Sequence, residues 1–69
     1  MEREPVNSST IVSIGYNADS ETLEIEFKNT GIYEYYNVPQ FMHERLTQAG
    51  SVGAFFNAEI KNNYAFAKI

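Results

Sequence analysis

The stretch GIYEYYNVP, residues 31–39, decides the fold of this 69-residue chain. Three of the five tyrosines lie in it, and β-branched and aromatic residues in such a run favour a strand. Pro39 ends the strand, because proline gives no N–H to a sheet and suits the first turn of a helix. We therefore expect partner strands before this stretch and helices after it.

Two segments before this stretch predict its partner strands. The first, IVSIGY at residues 11–16, is β-branched and aromatic, and we expect Val12, Ile14 and Tyr16 on one face. The second, TLEIEF at residues 22–27, alternates apolar and acidic side chains. Its apolar residues are expected to face the core and its glutamates to face water. The Asn, Asp and Ser residues between the two segments are typical of a turn.

A loop at residues 28–31 sets the register of the last two predicted strands. We expect a type I turn that ends in a left-handed glycine, which pairs Ile25 with Tyr35. Cross-strand partners share a face. The core side then holds Leu23, Ile25, Phe27, Tyr33 and Tyr35. Ile32 and Tyr36 point to the outer face, and a shift of one residue would reverse the assignment.

Helical spacing follows the proline. Met42 and Leu46 share one face of a predicted helix that ends near Gly50, a residue suited to a helix C-terminus. Ser51 is expected to cap a second, short helix with an aromatic inner face. Residues 64–69 are apolar and predict a strand or an extended tail.

These elements predict an α+β fold, in which a three-stranded antiparallel β-meander is followed by two short helices packed on one face. Residues 9–69 form a single domain, and the polar residues 1–8 form a flexible N-terminal arm. A chain of this size buries only about 60% of its surface on folding, and it has no cysteine to cross-link it. The core therefore depends on its five phenylalanines and five tyrosines.

Charge and composition narrow the function classes. The formal net charge is −4, from nine acidic and five basic residues, which disfavours nonspecific binding to phosphates. There is no run of about 18 apolar residues to predict a membrane span. The N-terminal residues lack the basic and apolar regions of a signal peptide. We expect a cytoplasmic protein that is a monomer or a weak dimer.

No set of residues predicts catalysis, a metal site or a cofactor. His43 is the only histidine and Asp19 the only aspartate. One histidine without cysteine makes neither a zinc site nor a nucleophile–base pair. Glu24, Glu26 and Glu34 on the outer sheet face would need a cleft that shifts their pKa values before they could do acid–base work. The sequence therefore predicts a non-catalytic module.

Two groups of residues are candidates for binding. Near the C-terminus, aromatic and basic side chains alternate in a way that can hold single-stranded nucleic acid. The members of this group are Lys61, Tyr64, Phe66 and Lys68. On the outer face, Ile32 and Tyr36 are apolar groups of the kind that form protein interfaces. Core packing and strand propensity are the alternative explanations of both groups.

The order of the motifs resembles the KTSC domain. A central Tyr-x-Tyr is followed by Val-Pro and then by Ser-x-Gly-x-x-Phe-Asn, and the resemblance spans roughly residues 9–66. The motif residues are Tyr33, Tyr35, Pro39, Ser51, Gly53, Phe56 and Asn57. We assign them a structural role.

The resemblance implies a small bacterial-type binding module of unsettled function. The family takes its name from the C-terminus of some lysyl-tRNA synthetases and also occurs as stand-alone small proteins. Occurrence within tRNA synthetases implies association with RNA or tRNA. The alternative is a protein–protein interaction module that uses the outer sheet face or a strand edge.

Overall fold

The computed structural model describes residues 1–69 and contains one antiparallel sheet. Each strand of the sheet pairs with the strands that precede and follow it in the chain. The strands are β1 (Glu4–Pro5), β2 (Ile11–Asn17), β3 (Thr22–Phe27), β4 (Gly31–Tyr35) and β5 (Phe66–Lys68). The helices are α1 (Gln40–Gln48) and α2 (Val52–Phe55), and α2 continues directly into a π-helical turn (Phe56–Ile60). The predicted α+β class is confirmed. The prediction of three strands is wrong, because two short edge strands complete a sheet of five.

The core lies between the sheet and the helices. Its eleven buried apolar residues are Ile11, Ile14, Leu23, Ile25, Tyr35, Val38, Met42, Leu46, Val52, Phe56 and Ile60. Phe27 and Tyr33 pack against this cluster and are partly buried. Full burial of one large apolar side chain stabilises a fold by about 1.5–3 kcal/mol. The five residues predicted for the core side of β3 and β4 therefore do face it, two of them at its edge.

The register of β3 against β4 differs from the prediction by two residues. Ile25 lies opposite Tyr33, whereas the predicted loop pairs it with Tyr35. The observed turn covers residues 28–30, and Gly31, with φ of 97°, is already the first residue of β4. A left-handed glycine fits either as the last loop residue or as the first strand residue, so the sequence does not fix the register. Because side chains alternate with a period of two, both tyrosines still face the core.

A β-bulge in β2 corrects the predicted face of that strand. The pairing of β2 with β3 shifts between Ile11 and Ser13. Ile11 is completely buried as a result, and Val12, which was predicted for the core face, is only half-buried. Beyond the bulge, Ile14 is buried and Tyr16 packs against the core cluster. The extra residue changes which side chains point inward, and alternation alone does not reveal it.

The helix boundaries follow from a few side chains. Pro39 precedes α1 with φ of −68° and ψ of 154°. The Oγ of Ser51 accepts a hydrogen bond from the backbone N–H of Ala54 at 3.2 Å, which caps α2. A Cβ at Gly53 would lie 3.0 Å from Oγ1 of Thr10. The absence of a side chain there lets α2 approach the segment before β2. No helix has the combined length and apolar character needed to cross a membrane.

The polar residues 1–8, predicted to be a flexible arm, lie partly against the sheet. Two of them form β1, which pairs with β2, and the N–H of Val6 donates to the carbonyl of Val12 at 3.1 Å. A Cβ at Gly15 would lie 2.6 Å from the carbonyl oxygen of Glu2. Only a glycine at this position therefore lets the arm come so close.

The two glutamates of β3 were predicted to face water, but both interact with other side chains of the outer face. Glu24 is 7% exposed, and Nη1 of Arg3 donates to its carboxylate. Nε of Arg3 donates to Oγ of Ser13 at 3.1 Å, and that hydroxyl donates to Oε1 of Glu26 at 3.1 Å. We call these four residues the outer-face network. The network supplies hydrogen-bond partners to the polar groups of Ser13 and Glu24, which are buried although alternation predicts them at the surface.

Candidate functional site

A cleft of about 490 Å³ opens where β4 and β5 meet the π-helical turn. We call it the aromatic cleft. Its aromatic residues are Phe27, Tyr33, Tyr35, Phe56 and Phe66. Its polar residues are Thr10, Thr30, Asn57, Lys61 and Asn62. No carboxylate lines it, so the only charged side chain among its walls is a lysine.

The rings of the aromatic cleft hold one another in place. Tyr35 lies edge-on to Phe56, with centroids 5.2 Å apart, and stacks on Phe66 at 5.4 Å with 30° between the planes. Phe27 lies edge-on to Tyr33 at 5.5 Å and to Phe56 at 5.3 Å. Phe66 remains 55% exposed. The cleft therefore offers a supported ring surface on which a flat ligand can stack.

Two tyrosine hydroxyls of the cleft have no partner in the chain. Tyr16 donates to a backbone carbonyl and Tyr36 donates to Glu34, but the hydroxyls of Tyr33 and Tyr35 make no internal hydrogen bond. No fully buried side-chain oxygen is left without a partner, so both hydroxyls have some surface accessible to solvent. Burial, and then the neighbouring Tyr33, raises the pKa of the Tyr35 phenol above its ordinary value of 10.0.

Positive charge lies on the cleft side of the molecule. Lys61 lines the cleft. Lys68 lies opposite Tyr33 in the β4–β5 pairing, and its Cε would be 3.3 Å from a Cβ on Gly31. The outer-face network holds two of the glutamates on the opposite face of the sheet. Two of the nine acidic residues are therefore held on the face of the sheet opposite the cleft.

The structure brings together three of the four residues predicted to contact nucleic acid. Phe66 and Lys61 line the aromatic cleft, and Lys68 lies beside it on β5. Tyr64 is half-buried and packs against the core cluster instead.

Four motif residues that were predicted to be structural also line the cleft. They are Tyr33, Tyr35, Phe56 and Asn57. The unpredicted pairing of β5 with β4 explains the omission, because it places Phe66 directly opposite Tyr35. The signal was present in the apolar residues 64–69, which predict a strand without indicating its partner.

The residues predicted for a protein interface lie elsewhere. Ile32 and Tyr36 are half-buried, and the hydroxyl of Tyr36 donates to Oε1 of Glu34 at 3.2 Å. The N–H of Tyr36 donates to the carbonyl of Ala65 at 2.9 Å. Neither residue belongs to the large hydrophobic side chains that the chain exposes.

His43 borders a second, larger cavity of about 730 Å³ next to the N-terminal arm. Its ring stacks on Tyr16, with centroids 4.7 Å apart and 8° between the planes. Burial lowers the pKa of His43 below its ordinary value of 6.5, and Glu44 and Glu4 offset part of that effect. No three histidine, cysteine, aspartate or glutamate side chains come together as metal ligands.

The stack predicts a specific loss of stability in mild acid. The folded chain binds a proton at His43 less readily than the unfolded chain, whose pKa is near 6.5. Stability from this site is complete above that value and falls as the pH is lowered toward the folded pKa. Urea midpoints between neutral and mildly acidic pH should fall less steeply for His43→Phe, which keeps a ring but does not titrate. An equal change of urea midpoint with pH in the two proteins would contradict the lowered pKa of His43.

The fold and the cleft together define a class: a small α+β module with an aromatic, carboxylate-free cleft at one end of an antiparallel sheet. The family model of the KTSC domain matches residues 7–64. The chain therefore belongs to the KTSC domain family.

Solved and curated relatives agree with this membership. A crystal structure of a KTSC domain protein from Yersinia pestis is 44% identical, with a TM-score of 0.97 over 99% of this chain and 96% of that one. A protein from Stutzerimonas stutzeri is 34% identical over 100% of this chain and 99% of its own length. The lysine–tRNA ligase of Nostoc punctiforme is 38% identical over 88% of this chain. The match spans only 11% of that ligase.

Proposed function

We propose that this domain is a non-catalytic module that binds single-stranded RNA by stacking bases in the aromatic cleft. The observation that carries the proposal is the composition of the cleft walls. Five aromatic rings and one lysine line the cleft, and no carboxylate does. Proteins hold unpaired bases by stacking them on aromatic side chains and by placing cations near the backbone phosphates.

The overall charge of −4 does not oppose this function. The molecule measures 28 × 23 × 23 Å, and the Debye length at physiological ionic strength is about 8 Å. Glutamates on the opposite sheet face are therefore largely screened from a strand in the cleft. Two lysines give a modest phosphate contribution, with an expected slope of log K against log salt of about −1.4. Most of the binding free energy then comes from stacking, at about 1–3 kcal/mol per base.

The relatives give this proposal independent support. A segment of the lysine–tRNA ligase from Nostoc punctiforme matches 88% of this chain, and the name of that enzyme specifies an RNA substrate. The alternative function, protein binding through the outer sheet face, has weaker support. Tyr36 is engaged with Glu34, and the N-terminal arm covers the β2 side of that face.

Fluorescence titration of a labelled single-stranded RNA, at low and at physiological salt, tests the proposal. Phe66→Ala should weaken binding by about 5-fold to 150-fold, the equivalent of one lost stacking contact. Phe41→Ala is the matched control, because Phe41 is 53% exposed against 55% for Phe66 and lies on α1. It should bind like the wild type.

Charge variants separate phosphate contacts from stacking. Lys61→Ala should reduce the salt slope by about 0.7, and Arg45→Ala, on α1, should leave the slope unchanged. Absence of binding at about 100 µM RNA and low salt, where weak phosphate contacts still register, would refute the proposed function. Equal losses of RNA affinity for Phe66→Ala and Phe41→Ala would show that RNA does not bind in the aromatic cleft.

A further inference from the structure

One of the two edges of the sheet is closed to further strands. This edge is β1, where the N–H of Val6 donates to the carbonyl of Val12. Because bonded and unbonded pairs alternate along an antiparallel ladder, the backbone of the preceding residue, Pro5, is turned away from β2. A proline has no N–H to offer to a further strand, and proteins commonly close exposed edges in this way.

The other edge, β5, is open. The carbonyl of Ala65 and the N–H of Ile69 make hydrogen bonds of 2.9 Å to the backbone of residues 32–36. By the same alternation, the backbone groups of Phe66 and Lys68 point away from β4. Each of these two residues therefore keeps one N–H and one C=O free at the edge of the sheet.

Exposed apolar side chains accompany these free backbone groups. Phe66 and Ile69 are two of the four large hydrophobic side chains that the chain exposes. Residues 65–69 are all exposed, so no other part of the chain covers this edge. An uncovered edge with apolar side chains favours the addition of another strand.

The sequence of β5 is complementary to itself when two copies run antiparallel. With Ala67 opposite the partner's Ala67, Phe66 lies opposite the partner's Lys68, and the two-fold axis repeats this pair. Each pair exchanges two backbone hydrogen bonds, so all the free groups of both residues are used. Phe66 and Lys68 share a face, since they lie opposite Tyr35 and Tyr33. The ammonium group of one copy can therefore lie against the phenyl ring of the other.

The charge of Lys68 selects this register. A lysine on an edge strand usually discourages pairing, and a shift of two residues in one direction would place the two Lys68 side chains opposite each other. A shift in the other direction would pair Phe66 with itself and leave the free groups of Lys68 without a partner in β5. In the selected register, Ile69 also lies opposite the small side chain of the partner's Ala65.

We propose that two copies of this domain associate through their β5 strands and form one continuous antiparallel sheet. The assembly closes at two copies, because each copy has a single open edge. The two-fold axis is perpendicular to the sheet, so both aromatic clefts lie on the same face of the dimer. The association needs no ligand and is independent of the proposed RNA binding.

Sedimentation velocity of the domain alone, from about 10 µM to about 1 mM protein, covers the range of weak association and tests the proposal. A strand of three residues gives an interface at the small end of the known range, below about 1,200 Å². We therefore expect a monomer at low concentration, a dimer at high concentration and no larger species. A monomer throughout the range, or species that keep growing beyond the dimer, would overturn the proposal.

Variants of Lys68 test whether β5 forms the contact. Lys68→Pro removes an outward N–H and leaves the bonds to β4 in place, so it should abolish the dimer at unchanged circular dichroism. Lys68→Glu should also weaken association and serves as the second variant should the proline distort β5. Arg45→Glu on α1 is the matched control, because it makes the same change of net charge away from the edge, and it should keep the dimer. Equal association of the wild type and both Lys68 variants would overturn the assignment.

Amide hydrogen exchange reads the pairing directly. In dilute solution the amides of Phe66 and Lys68 should exchange rapidly, whereas that of Ala67, which faces β4, should be protected. In concentrated solution the amides of Phe66 and Lys68 should become protected in proportion to the fraction of dimer. A dimer in which both amides still exchange rapidly would overturn the proposed pairing.

Discussion

Replacing Tyr35 with alanine is expected to remove a large part of the free energy that keeps the domain folded. The side chain is 4% exposed, and its ring contacts those of Phe56 and Phe66. Truncation of a large buried aromatic costs about 3–5 kcal/mol. A chain of 69 residues has a total stability of only about 3–10 kcal/mol at typical values per residue. Urea denaturation followed by circular dichroism measures the loss.

The next residue along the chain provides the control. Tyr36 points to the other face of the sheet and is only half-buried, so Tyr36→Ala should cost about 1 kcal/mol, the value of one ordinary hydrogen bond and some packing. Similar losses for the two variants would contradict the inward orientation of Tyr35. The comparison uses the same residue type and the same substitution, so it isolates the effect of the face.

Replacing Arg3 with leucine is expected to cost about 1–3 kcal/mol, the penalty for a buried polar group left without its partner. Glu24 would lose the cation that pairs with its carboxylate. The cost stays below that of a fully buried pair, because the side chain of Arg3 is 26% exposed and that of Glu24 is 9% exposed. The arm should also loosen. Hydrogen exchange at the Val6 amide, which donates to Val12, reports this directly.

Two further variants show whether the effect comes from the orphaned carboxylate. Arg45→Leu removes an arginine that has no ion pair and lies over the Phe41 ring, and it should change stability little. Adding Glu24→Gln to Arg3→Leu should recover part of the loss, since a neutral amide is less costly to bury than a charge. Equal effects of Arg3→Leu and Arg45→Leu would contradict the structural role of the outer-face network.

The central strands could be predicted because their pattern is local. Alternation identifies β3, and β-branched and aromatic runs identify β2 and β4. Of the two edge strands, β5 lies in an apolar stretch that predicts a strand or a tail without indicating its partner, and β1 lacks any such signal. β1 has two residues, one of them Pro5, and a proline is tolerated only at an edge or a bulge. It forms because Gly15 leaves room for the backbone of Glu2 and because Glu24 pairs with Arg3. Contacts of this kind join distant parts of the chain.

Less of the candidate site than of the fold could be predicted from the sequence. Aromatic residues near the C-terminus indicated stacking, and three of the four residues named do lie in or beside the cleft. Their relation to Tyr33 and Tyr35 depends on the pairing of β5 with β4. Whether a tyrosine hydroxyl has a partner depends on positions in three dimensions, which residue spacing does not supply. Tyr35 lies in the core and Tyr33 at its edge, and both line the cleft.

The position of bound RNA on the domain decides whether the aromatic cleft is the binding site. NMR spectra of the isotope-labelled domain, recorded with increasing amounts of oligouridine, report which residues the RNA contacts. We expect shifts concentrated at Thr30, Lys61, Asn62 and Phe66, around the aromatic cleft. Signals of Arg3 and Glu24 on the outer face should remain in place. Shifts confined to the outer face, or no shifts at concentrations of about 100 µM and low salt, would contradict binding in the aromatic cleft.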